Sequence, residues 1–207
     1  MRVRTDEKRQ AIMEAAEAVF REVGYERASM SAIAARVGGS KQTLYSYFQS
    51  KDDLFSAVMV EAMDEQAELL LALLHGGDGD LRATLEAFAD AYVDFILSPE
   101  VLTLTRVAVT EGGKGTLGAR LYELGPLRGW AEMAATLTRW AGESRLRIDD
   151  PTFAAFHLKA LLEAGLFEPA LFGAPPPVDR RAAARAAVAA FLRAYAPSVE
   201  GPEGLDP

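Results

Sequence analysis

Hydrophobic positions recur along this chain at helical spacing from one end to the other, and nowhere do they alternate in the two-residue period of a strand. Ile12, Ala15, Ala16, Val19, Phe20 and Val23 make the first stripe and predict a helix over 5–23, with Asp6 and Glu7 in its first turn and Gly24 closing it. Met30, Ile33, Ala34 and Val37 make a second, shorter stripe behind the N-cap candidate Ser29. Gly38-Gly39 stops that helix, and Ser40 caps a third whose Leu44 and Phe48 face inward. A long helix follows from about 51 to 74, started by Ser50 and Asp53 and striped by Leu54, Phe55, Val58, Met59, Ala62, Met63, Leu69, Leu70 and Leu73.

The remaining elements follow from the same cues. His75-Gly76-Gly77-Asp78-Gly79-Asp80 is a loop whose last residue caps a helix over 81–97, and Ser98-Pro99 ends that helix and opens a sixth. A seventh spans roughly 116–141, interrupted or kinked at Gly125-Pro126. The eighth, opened by Asp150-Pro151, is apolar on two faces. Phe153, Phe156, His157, Ala160, Leu161 and Ala164 form one, and Ala154, Leu158, Leu162 and Leu166 the other. One face is assigned to the home core and the other to a partner. Pro175-Pro176-Pro177 leads to Asp179 and a last, alanine-rich helix, and the tail from about 197 reads as disordered. The fold class is therefore all-α with about nine helices.

Lys41, Gln42, Thr43, Tyr45 and Tyr47 are left on the outer side of the third helix. A merely solvated face would carry Glu and Lys there, so hydrogen-bonding groups crowded into a turn and a half point to a helix-turn-helix that meets DNA. Two capped helices around a glycine turn also serve purely structural ends.

Gly24-Tyr25, Ser29-Met30, Ile33-Ala34, Gly38, Ser40-Lys41, Thr43-Leu44-Tyr45, Tyr47-Phe48, Ser50-Lys51 and Leu54-Phe55 resemble the N-terminal domain of TetR/AcrR-type transcriptional regulators over about 45 residues. Ala28 stands where that family has a threonine cap, which leaves the capping to Ser29, and Gly39 replaces the usual valine of the turn. The resemblance implies a DNA-binding domain over 1–51 and a ligand-binding and dimerisation domain over 52–207. It assigns DNA contacts to Ser40, Lys41, Gln42, Thr43, Tyr45, Tyr47 and Lys51, with Ser29 and Ser31 beside them. It also implies a homodimer through the helices at 151–166 and 179–195, and release from a palindromic operator by a small molecule. The segments Arg106–Glu111 and Leu121–Arg128 are similar to regulators of efflux genes. Met59, Met63, Phe88, Tyr92, Phe95, Leu104, Tyr122, Trp130, Met133, Phe156 and His157 are the candidates to line a pocket for a hydrophobic or aromatic effector. The same stripes serve equally as core.

Charge sharpens this picture. The net charge of −8 divides into +3 over residues 1–51 (nine Lys/Arg, six Asp/Glu) and −11 over the rest (thirteen and twenty-four). A positive head on an acidic body orients a protein on a phosphate backbone. The chain has no cysteine and two histidines, His75 and His157, which removes thiolate chemistry and leaves no metal cluster. His157 is expected as a hydrogen-bonded core histidine, and no cofactor is implied. Absence of a nucleophile–base pair or a phosphate loop argues against an all-α enzyme. No run of apolar residues is long enough for a membrane span, and the cytoplasm is the expected compartment. A transcriptional activator and a helical interaction module stand as alternatives to a repressor.

Overall fold

The computed structural model describes residues 2–75 and 80–197. Every regular element among them is helical. In order they are α1 (Arg2–Arg27), α2 (Met30–Val37), α3 (Lys41–Tyr47), α4 (Lys51–His75), α5 (Leu81–Ile96), α6 (Pro99–Gly112), α7 (Leu117–Tyr122), a π-helical turn (Glu123–Leu127), α8 (Arg128–Gly142), α9 (Pro151–Glu163), α10 (Phe167–Leu171) and α11 (Arg180–Tyr195). No described helix is long and apolar enough to cross a membrane. Residues 76–79 of the expected loop and the tail 198–207 lie outside the described residues.

The chain forms two compact units, one made of Met1–Glu65 and Arg106–Gly125, the other of Gln66–Thr105 and Pro126–Pro207. In the first, α1 packs on α2 and α2 on α3, burying Ile12, Met13, Ala16, Val19, Phe20, Ile33 and Leu44. The Phe55 ring meets Phe20 edge-on at 4.9 Å and Tyr25 at 4.8 Å. Gly24 breaks α1 at φ 76°, a left-handed conformation open to glycine. The segment 106–125 returns to this unit. It buries Leu117, Gly118 and Leu121, and ties itself down through Lys114 to Glu26 at 2.5 Å and through an Arg120–Asp53 ion pair.

The second unit is built on α9, which packs against α8 and α11, while α11 also packs on α5. Its core holds Leu85, Phe88, Tyr92, Met133, Leu137, Trp140, Leu158, Leu162 and Phe191. Ala154, Leu158, Leu162 and Leu166 face inward, as one of the two expected faces requires. On the other face Phe153 is 65% exposed and His157, Ala160 and Ala164 are also exposed, whereas Phe156 and Leu161 pack half-buried against the home core instead of facing outward as expected.

The caps are where the residue chemistry puts them. Asp80 accepts from the Arg82 amide, Asp150 from those of Thr152 and Phe153, and Asp179 from that of Ala182. Two expectations need correction. The first helix begins at Arg2, so Asp6 and Glu7 fall beyond its first turn, which holds no acid. Nothing in Arg2-Val3-Arg4 halts a helix. The interruption expected at Gly125-Pro126 divides 116–141 into three segments, because Pro126 has no N–H to give and the backbone widens around it into a π turn. That division leaves Tyr122 and Leu127 exposed. Finally, α10 is an additional short helix after Gly165, whose φ of 71° turns the chain out of α9.

Candidate nucleic-acid interface

The α2–turn–α3 unit is held from both ends by its own side chains. Ser29 caps α2 by accepting from the Ala32 amide at 3.2 Å, so it takes over the threonine's task. Gly38 ends α2 in the left-handed region at φ 67°, with its own and Gly39's amides bonded back into the helix. Ser40 caps α3 by accepting from the Thr43 amide at 3.0 Å, and its hydroxyl lies 2.9 Å from that of Thr43. Leu44 and Phe48 are buried and anchor α3 from beneath.

This anchoring decides what α3 shows to solvent. Lys41, Gln42 and Tyr45 are exposed, with the Lys41 ammonium 5.8 Å from the centre of the Tyr45 ring. Thr43 and Tyr47 are half-buried. Ser29 and Ser31 are exposed at the start of α2. The site as built thus offers an ammonium, an amide and a phenol on one short helix. These groups suit base edges and phosphate oxygens.

Two further contacts set the helices against their neighbours. Arg36 on α2 makes a two-pronged pair with Glu22 on α1, at 2.6 and 2.7 Å. The hydrogen bond from Arg36 holds the Glu22 carboxyl below its ordinary range. Lys51 does not stand free at the start of α4. Its ammonium donates to the carbonyl of Tyr25 at 2.9 Å and lies 4.0 Å from the centre of the Tyr25 ring. No helical spacing rule flags either contact, since the partners are 14 and 26 positions apart.

The candidate effector residues fall into both units. Met59, Met63 and Tyr122 belong to the first, and Tyr122 is 46% exposed. In the second, Phe88, Tyr92 and Trp130 form one aromatic cluster, with Tyr92 and Trp130 edge-on at 5.2 Å, and Met133 is buried in the same core. Phe95 and Phe156 are half-buried against that core, and Leu104 is half-buried on α6. His157 is exposed rather than in the core, with Nδ1 2.6 Å from the Tyr195 hydroxyl. Two surface grooves are open, about 580 Å³ beside Asp150, Phe153 and Tyr195 and about 310 Å³ between α1 and α4. Neither is lined by a residue of the candidate set. No cluster of His, Asp or Glu with metal-holding geometry is found among the described residues.

The chain is similar to known proteins over most of its length. Residues 12–58 match the family model for bacterial regulatory proteins of the tetR family, and residues 83–197 match the one for the C-terminal domain of AefR-like transcriptional repressors. The HTH-type transcriptional activator FasR of Mycolicibacterium smegmatis is 38% identical over 95 residues, 46% of this chain and 43% of that protein. The match thus spans less than half the length of that relative. Among solved structures, a TetR-family transcriptional regulator from Mesorhizobium loti aligns at a TM-score of 0.81 with 27% identity, covering 93% of this chain and 98% of that one. The flavonoid-responsive regulator FrrA aligns at 0.75 with 29% identity, covering 94% and 100%. With its head matched by one of these family models and more than half of its length by the other, this chain belongs to the TetR family of bacterial transcriptional regulators.

Proposed function

We propose that the protein is a dimeric repressor that binds a palindromic operator through α3 and lets go when a hydrophobic or aromatic small molecule binds its second unit. The observation that carries the DNA reading is the exposed trio Lys41, Gln42 and Tyr45 on a seven-residue helix fixed from below by Leu44. Gln42 pairs with adenine, Lys41 with guanine or a phosphate, and Tyr45 with a phosphate. Thr43, Tyr47, Ser29, Ser31 and Ser40 extend the contact surface, the serine hydroxyls at 29 and 40 serving the helix caps as well.

One short helix reads too few bases, so a second copy is needed about 34–36 Å away. The exposed row of α9 supports that copy: Phe153, Ala160 and Ala164 are apolar or small, and His157 lies with them outside the core. A two-fold axis placing these faces together, with α11 alongside, makes a four-helix contact. The effector class is supported by the Phe88–Tyr92–Trp130 cluster and by the likeness to a flavonoid-responsive regulator. To reverse a 99:1 preference for the DNA-competent state, it must favour the other state by about 10⁴-fold, roughly 5.5 kcal/mol. The match to an activator keeps one second reading open, in which the same head recruits transcription instead of blocking it.

The test is a salt-dependent titration against the DNA upstream of the protein's own gene and against duplexes from random-sequence selection, beside a scrambled control. The reading expects a preference of about 10³ or more for one sequence, lost in Lys41→Ala and Tyr45→Ala with folding intact. Equal, salt-erased binding to every duplex overturns it.

A further inference from the structure

The end of α1 is gripped by two successive residues of α4. Tyr25 is buried at the turn that Gly24 makes, its ring packed on Phe55. Lys51 approaches its backbone and its ring face, donating to the Tyr25 carbonyl at 2.9 Å and to the Glu26 carbonyl at 3.5 Å. Asp52 takes its other end, accepting from the Tyr25 hydroxyl at 2.6 Å. The two carbonyls belong to the last turn of α1, where no further helical N–H is available, so a cation is well placed there. Two of the three ammonium protons of Lys51 thus have carbonyl acceptors, and the aromatic face lies against the same nitrogen.

Tyr25 and Lys51 also bracket α2 and α3 in the sequence. Whatever fixes one to the other closes the segment that carries the DNA-facing side chains. We propose that Lys51 and Asp52, acting through Tyr25, are positioning residues that hold α2 and α3 in place for DNA, and that Lys51 adds no phosphate contact of its own. This inference rests on the DNA-binding reading and departs from the phosphate role that the family resemblance gives Lys51.

The experiment uses the full chain and a duplex obtained by random-sequence selection. Wild type, Lys51→Met, Tyr25→Phe and the double variant are titrated over a range of salt, with Lys41→Ala as the contact control. Each single variant is expected to weaken binding by about tenfold with the slope of log K against log salt unchanged. The double is expected to weaken binding by less than the product of the two singles, because the two changes release different bonds on the same end of α1. A slope reduced by about 1.8 in Lys51→Met, the mark of one lost phosphate in each protomer of the dimer, overturns the proposal, as does full additivity with Tyr25→Phe. Hydrogen exchange on the free protein gives a second reading. Both variants are expected to speed exchange across Tyr25–Tyr47, and unchanged exchange overturns the proposal even if selection yields no preferred duplex. That last result on its own removes the DNA reading instead.

Discussion

Tyr92 on α5 donates its hydroxyl to Oε1 of Glu163 on α9 at 2.6 Å, and Lys159 donates to Oε2 of the same carboxylate at 2.6 Å. One half-buried acid is thereby satisfied on both oxygens, one bond crossing between helices and the other running along α9. Burial first, and the Glu163 charge second, push the Tyr92 hydroxyl well above the ordinary phenol range.

Tyr92→Phe keeps the ring but leaves Glu163 with a single donor. The expected cost is about 1–3 kcal/mol, read as a lower melting temperature. The pH dependence has a definite sign. A phenol whose folded pKa is raised contributes stability fully present below the ordinary value of 10.0, and that stability is lost as pH rises beyond it. Melts taken from neutral pH upward will show wild type losing stability on the alkaline side, and Tyr92→Phe losing less. Tyr25, raised by burial and Asp52, retains its own share of that loss.

Gly118 admits no side chain. A Cβ there would sit 2.3 Å from the Ala108 carbonyl oxygen and 2.7 Å from the Gly112 Cα, both backbone atoms of α6. Gly118→Ala must push α7 away from α6, at an expected cost of about 1–3 kcal/mol or more. Denaturant unfolding followed in the first unit will report it, whereas Gly129→Ala in α8, where no described atom lies within 4 Å, is expected to be neutral or to stabilise by up to about 1 kcal/mol.

Ser56 on α4 is fully buried, and its hydroxyl has no hydrogen-bond partner among the described residues. An unsatisfied buried hydroxyl costs free energy that an apolar atom would not. Ser56→Ala is expected to stabilise the protein by up to about 1 kcal/mol. A lowered denaturation midpoint would count against this account of the site.

Phe153 is 65% exposed on α9, in the row with His157, Ala160 and Ala164. If this row is the dimer face, Phe153→Glu sets like charges against each other across a two-fold axis. Sedimentation is expected to find wild type as a dimer and the variant as a folded monomer. A dimer persisting in the variant would move the interface elsewhere.

The helix-turn-helix was legible in the sequence because its cues are local. Ser29 and Ser40 each satisfy an amide three residues ahead, and Gly38 takes a conformation that side-chain-bearing residues avoid. The two faces of α9 were legible for a similar reason, since a 3.6-residue period assigns side chains to faces without knowledge of the neighbours. The break between α7 and α8 was visible only as Gly125-Pro126, and the π turn that it produces was not. The effector set was drawn from apolar stripes, which report burial rather than cavities. Its members divide between a tight aromatic core and the other unit.

By itself, then, the sequence determined most of the helices, their caps at Ser29, Ser40, Asp80, Asp150 and Asp179, the inward-facing stripes, and the presence of a capped short helix with a polar exposed surface. All of these depend on residues within about a turn or two of one another. Only the tertiary structure decided that Lys51 caps α1, that Arg120 holds Asp53, and that Lys114 reaches Glu26. Those partners are 26, 67 and 88 positions apart. The free energy of such contacts depends on where the backbone brings two distant charges together, and no local period carries that information.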